Sequence, residues 1–217
     1  MKRYKYLLFL FPGVLVMTVV TPAFTVGSSL VADLQRGILH EMLLAPIRRE
    51  SLLISKCLGA TAVATCQATL LLIPAGLFGI PYQPITFALV VLQLAITALA
   101  MTGLDALLAV SIRTTQIFHA VTGLISLPLL FLSGAMFPLT GLPAWLAATT
   151  LNPVSYAVDA IRHTLTTATR PPAIFAGPTW AGWRPPALLE TTLLAALGML
   201  LLLLAARRFT HRGRVGG

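Results

Sequence analysis

Five long apolar runs dominate this 217-residue chain and leave few folds open to it. They cover residues 6–31, 57–80, 86–112, 118–137 and 188–206. A hydrocarbon slab of about 30 Å takes roughly 20 residues of helix to cross, and each run is near or above that length. Inside lipid a helix satisfies its own backbone polar groups, and runs this long without period-2 alternation argue against barrel strands. The expected fold is all-α: a polytopic transmembrane helix bundle of about five spans, forming a single domain over residues 1–217. Composition agrees. Charged residues are 10% of the chain, against about 25% in an ordinary soluble domain.

The net charge of +9 then reads as a topology signal. The residues after the first run (Arg36, Arg48, Arg49, Lys56), Arg113 after the third, and the tail (Arg207, Arg208, Arg212, Arg214) share one side and supply nine bases. The other side has six: Lys2, Arg3, Lys5, Arg162, Arg170 and Arg184. The positive-inside rule makes the nine-base side, with the C-terminus, cytoplasmic. The bases form no stripe interleaved with aromatics, so nucleic acid is not an expected partner. The basic start and first run mimic a signal peptide, but the run is too long for an h-region and no A-x-A cleavage site is evident. Cys57 and Cys66 are nine residues apart, roughly 13 Å along a helix. That is beyond disulfide reach, so both are expected to be free thiols.

Two segments outside the runs carry pattern. In the inner loop 32–56, Leu34, Ile38, Met42 and Leu43 recur at helical spacing, with Arg36, His40 and Glu41 off that face. Pro46 ends that helix and Ser51 is placed to cap the next. The segment reads either as an interfacial extension of the first span or as a docking helix for a soluble partner. On the outer side, residues 142–166 read as short non-spanning helices. Trp145 is an interfacial anchor, and Asn152-Pro153 is an N-cap followed by Pro at the first helical position. Val154, Ala157, Val158, Ile161 and Leu165 form an apolar face. Ser155, Asp159, Arg162 and Thr166 form a polar one, with Asp159 and Arg162 spaced as an i,i+3 pair. A lid at the outer surface fits this pattern.

Catalytic signatures are missing. The chain has no Gly-Lys dipeptide and hence no Walker A loop, no H-E-x-x-H and no G-x-S-x-G. Its four histidines are scattered, so neither a metal nor a cofactor is expected. Of the intramembrane acids, Glu190 lies near the outer end of the last run, where water is close. Asp105 lies about two turns from the inner end of the third. The favoured reading of Asp105 is a hydrogen-bonded interhelical group; the other is a proton or cation site. Thr18, Thr21, Thr25 and Ser28 recur on one face of the first run. They suit small-residue helix packing, or a polar stripe along a pathway or subunit seam. Pro12, Gly13 and Pro22 allow that span to bend.

Several blocks occur in a recognisable order. Phe11-Pro12-Gly13 opens a span. Arg36-Gly37-Ile38-Leu39-His40-Glu41-Met42-Leu43-Leu44-Ala45-Pro46-Ile47-Arg48-Arg49 follows, then Ser55-Lys56-Cys57-Leu58-Gly59 and Gln67. Later come Phe131-Leu132-Ser133-Gly134-Ala135-Met136-Phe137-Pro138, Gly141-Leu142-Pro143, Trp145, and Asn152-Pro153-Val154-Ser155-Tyr156-Ala157-Val158-Asp159-Ala160-Ile161-Arg162. In order and spacing the chain resembles the type-2 ABC-transporter permeases, which include drug-resistance and nodulation lipooligosaccharide exporters. The likeness runs from about Phe11 to the end.

The resemblance implies a permease subunit without its own ATPase site. It would pair with a second permease copy and with ATP-binding subunits on the cytoplasmic side of the inner membrane. It implies that Arg36, Glu41, Arg48 and Arg49 contact the ATPase. It also implies an outer gate that includes Trp145, Asn152, Pro153, Tyr156, Asp159 and Arg162. Thr18, Thr21, Thr25, Ser28 and Asp105 are candidates for the pathway or seam. The expected cargo is amphipathic, drug-like or a lipid-linked saccharide. The family pattern has six spans with a cytoplasmic helix before the first; this sequence begins at what would be the second, so a missing first span is expected. The competing expectation is an ion-coupled secondary transporter that uses Asp105.

Overall fold

In a computed structural model, residues 2–36, 49–74, 83–112, 114–136, 152–167 and 185–215 are described. They form seven helices: α1 (Lys2–Ala23), α2 (Val26–Gln35), α3 (Arg49–Leu72), α4 (Pro84–Ser111), α5 (Thr115–Phe131), α6 (Pro153–Thr167) and α7 (Ala187–Val215). No strand occurs among the described residues. Four stretches are long and apolar enough to cross a membrane: Leu10–Gln35, Glu50–Leu72, Pro84–Ser111 and Ala187–Thr210. The fold is the expected all-α polytopic bundle, with three differences from the hydropathy pattern.

The first difference is a break in the first span. Pro22 has no N–H and weakens the helix around it. The chain steps through Phe24 and Thr25 before α2 begins, with Thr25 N–H bonding back three residues to the Pro22 carbonyl at 3.1 Å. Hydroxyls take part as well: Thr25 Oγ1 donates to Pro22 O at 2.6 Å and Ser28 Oγ to Thr25 O at 2.8 Å.

The second difference is the position of the next span. Its helix occupies 49–72 rather than 57–80 and takes in the polar stretch from Arg49 to Lys56. It closes in a short 3₁₀ turn at Ile73 and Pro74.

The third is the fourth run, expected over 118–137. It is a 17-residue helix, Thr115–Phe131, only about 26 Å long. A turn stops it early, with Gly134 at φ 71°, a left-handed conformation that favours glycine.

The bundle has two cores stacked along its length. One joins α1 to the second half of α3, the first half of α4, and α6. The other joins α2 to the first half of α3, the second half of α4, Phe118 of α5 and the last turns of α7. Helix α4 runs unbroken through both, and its largest interface is with α7. Small residues let these backbones close up. A Cβ on Gly198 would lie 3.0 Å from the Ala100 Cα, and one on Gly103 would lie 3.2 Å from the Gly198 carbonyl oxygen. Large apolar side chains such as Leu58, Leu70, Leu124, Leu127, Leu200 and Leu203 are exposed, as helices facing lipid require.

The two kinds of glycine should therefore respond differently to alanine. Gly198→Ala forces backbone apart and is expected to lower stability by about 1–3 kcal/mol. Gly59→Ala and Gly123→Ala meet nothing within 4 Å and should be neutral or stabilising by up to about 1 kcal/mol. Thermal unfolding of the purified variants in mild detergent gives the order directly.

Candidate functional site: polar clasps at the breaks of the bundle

Three sets of polar contacts hold the bundle where its helices break or end. The first lies at the break in the first span. Gly27 sits in the first turn of α2, where backbone N–H groups lack intrahelical partners. Its N–H donates to Asp105 Oδ2 on α4 at 2.5 Å, and Asp105 is fully buried. The positive end of the α2 dipole favours a carboxylate there. A side chain at position 27 has no room, because a Cβ would lie 2.3 Å from Phe118 Cζ and 2.8 Å from both carboxylate oxygens. Among the described residues Asp105 Oδ1 has no hydrogen-bond partner. Asp105 thus makes a hydrogen bond between helices.

The second set lies where α5 ends. The last carbonyls of a helix have no partner within it, and here the neighbouring α6 supplies donors. Asn152 Nδ2 donates to Leu129 O at 2.7 Å, Ser155 Oγ to Leu132 O at 3.1 Å, and an Arg162 guanidinium nitrogen to Gly134 O at 3.2 Å. Asn152 also caps α6, its Oδ1 accepting from Val154 N–H at 2.9 Å. Ser133 closes the turn with its hydroxyl, donating to Leu130 O at 2.6 Å and accepting from Ala135 N–H at 3.2 Å. Helix α1 presses on the same turn, since a Cβ on Gly13 would come within 2.4 Å of the Ala135 carbonyl oxygen.

In this second clasp α6 buries polar side chains as well as apolar ones. Ser155 and Arg162 are buried, at 1% and 4% exposure, alongside the apolar face. Ser155 and Arg162 turn inward because that is where the carbonyls they bond lie. Burial lowers the pKa of the Arg162 guanidinium, while the nearby Asp159 charge opposes that shift. Pro153 opens α6, Tyr156 is buried in the core, and Asp159 is half-buried. Gln93 of α4 ties on to α6 by donating to Thr164 Oγ1 at 2.9 Å. Glu190, expected near water, is buried at 1% in the first turn of α7.

The third set gathers at the opposite end, where the C-terminal helix finishes. Lys56 pairs with Asp33 and Thr115 bonds to Gln35. Arg208 donates to Ser111 Oγ and Thr210 to Glu50 Oε1, both at 3.1 Å. Arg36 is exposed at the end of α2, and Arg49 opens α3. Glu41, Arg48 and Trp145 lie outside the described residues.

The hydroxyl stripe on the first span faces outward in part. Thr21 and Thr25 are exposed and Thr18 and Ser28 half-buried, and all four hydroxyls bond to backbone carbonyls of their own span. A similar ladder escaped the sequence reading. Thr61, Thr65 and Thr69 of α3, each bonded four residues back, line an open groove of about 560 Å³ with Leu58, Ala62 and Cys66. Cys57 and Cys66 are free thiols. Among the described residues no three His, Cys, Asp or Glu side chains converge to hold a metal. Gly27 also went unnoticed; Gly13 was marked as a point of bending rather than of close packing, and Ser133 only as part of a block whose Ser-Gly pair hinted at a turn.

A bundle of apolar spans clasped in this way is an integral membrane protein. Residues 2–166 match the family model described as ABC-2 type transporter, and the chain belongs to that family. It is 31% identical over 161 residues to the transport permease ycf38 of Cyanophora paradoxa, covering 73% of this chain and 56% of that one. It is 30% identical over 166 residues to the inner membrane transport permease YadH of Escherichia coli K12, covering 75% and 64%. It is 29% identical over 159 residues to the multidrug ABC transporter permease YbhR of the same organism, covering 72% and 42%. The chain thus spans 42–64% of the length of these relatives.

Variants of Asn152 separate its two jobs. Asn152→Ala removes both the α6 cap and the Leu129 bond, with an expected loss of about 1–2 kcal/mol. Asn152→Ser keeps a capping oxygen without the amide donor and should fall between Asn152→Ala and wild type. Arg162→Met, which leaves the Gly134 carbonyl unpaired, should lose about 1–3 kcal/mol. Arg162→Lys should not restore it, because the ammonium lacks the guanidinium fork. Detergent melting curves read all four.

Proposed function

We propose that this chain is the membrane-spanning subunit of an ATP-driven exporter in the cytoplasmic membrane. It pairs with a second permease copy and with an ATP-binding subunit on the cytoplasmic side. Its C-terminus is cytoplasmic. Its cargo is amphipathic, a drug-like molecule or a lipid-linked saccharide. Arg36, Glu41, Arg48 and Arg49 receive the movement of the ATPase, and the 142–166 segment closes the exit.

The observation that carries this reading is family membership across residues 2–166. Three features support the finer assignment. The connection between α2 and α3 leaves and re-enters the bundle at the end that carries the basic tail. The Asp33–Lys56 pair ties the two helices flanking that connection, so force applied there reaches both at once. At the other end, α6 holds the termination of α5 through side chains, a closure that can be released without unfolding a span. Asp105, the basis of an ion-coupled alternative, is already committed to a backbone N–H.

Purification of the tagged chain from its native membrane tests the proposal. A nucleotide-hydrolysing subunit should co-purify, and reversing the charge of Arg48 and Arg49 together (R48E/R49E) should reduce its recovery by roughly tenfold or more. Reconstituted in liposomes, the complex should export only with ATP. Transport by the chain alone under a proton gradient would overturn the reading.

A further inference from the structure

We infer that Asp105 is the positioning residue of a hinge inside the first span: its carboxylate pins the start of α2 to α4, so that α1 and α2 turn as separate rigid halves. Four observations carry this. The span breaks at Phe24 and Thr25. The two halves belong to different cores, α1 to one and α2 to the other, so each half is held by its own neighbours. Helix α4 passes straight through both cores and offers one fixed anchor, the buried Asp105 carboxylate, to Gly27 N–H in the first turn of α2. Phe118 closes over the same spot, and no side chain fits at position 27.

The pin therefore holds α2 to α4 and leaves the bend to the residues just before it. Helix α2 is tied at its far end as well, through Asp33 to Lys56 and Gln35 to Thr115. It is held to its neighbours at both ends, so α1 turns against it and Arg36, at its end, keeps the position that coupling would use. This last step rests on the coupling assignment made above; the hinge itself does not.

The chemistry required is acceptance of one hydrogen bond, not carriage of an ion, and this separates the variants. Asp105→Asn keeps a carbonyl oxygen for Gly27 N–H. Asp105→Ala leaves that N–H without an acceptor in an apolar interior. Spin labels on cysteines at Val14 and Leu34, both exposed, lie at most about 30 Å apart along the span. With Cys66→Ser as background and the buried Cys57 left in place, pulsed EPR on the full chain in lipid nanodiscs reads the bend.

A narrow distance distribution is expected for wild type and Asp105→Asn, and a broadened, shifted one for Asp105→Ala. In the complex with its ATPase, export per ATP should fall roughly tenfold for Asp105→Ala and stay close to wild type for Asp105→Asn. If Asp105→Ala does not accumulate, Asp105→Ser, too short to reach Gly27, takes its place. An unchanged distribution in the alanine or serine variant overturns the hinge. So does an asparagine variant as impaired as alanine in both readouts, which would mean that the charge itself is required. If wild type shows no ATP-dependent export, the functional reading fails, and the distance measurement alone then decides the hinge.

Discussion

A polypeptide inside lipid cannot leave a backbone N–H or carbonyl unpaired without a cost of several kcal/mol. That constraint explains where this bundle spends its polar side chains. Within unbroken helix the backbone looks after itself, and the packing of leucine and valine against one another discriminates little, since lipid tails are equally apolar. Discrimination comes at the two places where a helix stops short. At the first, α2 begins inside the bundle and Asp105 accepts from its first turn. At the second, α5 ends early and Asn152, Ser155 and Arg162 donate to carbonyls of its last turn and of the turn that follows. Each clasp joins segments far apart in sequence and fixes their mutual register. Each also admits a close backbone approach through one glycine, Gly27 at the first and Gly13 at the second.

The stacked cores give these clasps mechanical meaning. Helices α3, α4 and α7 contribute to both cores and act as struts. The first span changes core at its break, and α5 contributes its start to one core while its end is held by α6. Bending between the cores therefore falls at the clasped breaks rather than within the struts. The clasped elements also adjoin the segments to which the export reading assigns coupling and closure.

Much of this was legible in the sequence, for a simple reason. Transfer from water to lipid is a property of composition, so the apolar runs announced the spans and the fold class. Hydropathy does not announce helix ends. Ser51 marked the start of α3 to within two residues, but the apolar run did not, because the helix's polar first turns lie beyond it, where Glu50 and Lys56 find partners on other helices. The shortness of α5 was hidden because its end is set by a turn at Gly134 and by donors some 20 to 30 residues further on. Asp105 stood out as a buried acid, but its partner is a backbone N–H 78 residues away. A glycine chosen for lack of space leaves no mark on periodicity. The polar side of α6 was visible as a stripe, while the inward orientation of Ser155 and Arg162 depended on carbonyls at the end of another helix. Asn152 and Arg162 were thus legible as notable residues, and their bonds were not.

The hydroxyls of the first span and of α3 bear on what such a surface can recognise. Every threonine and serine hydroxyl of the stripe on the first span, and every rung of the α3 ladder, bonds to a carbonyl of its own span. Their donor capacity is used locally. What remains for a neighbour is an oxygen lone pair and a small, smooth profile. A face of this kind suits close approach of another helix, or of a cargo chosen by shape and apolar length rather than by directed hydrogen bonds.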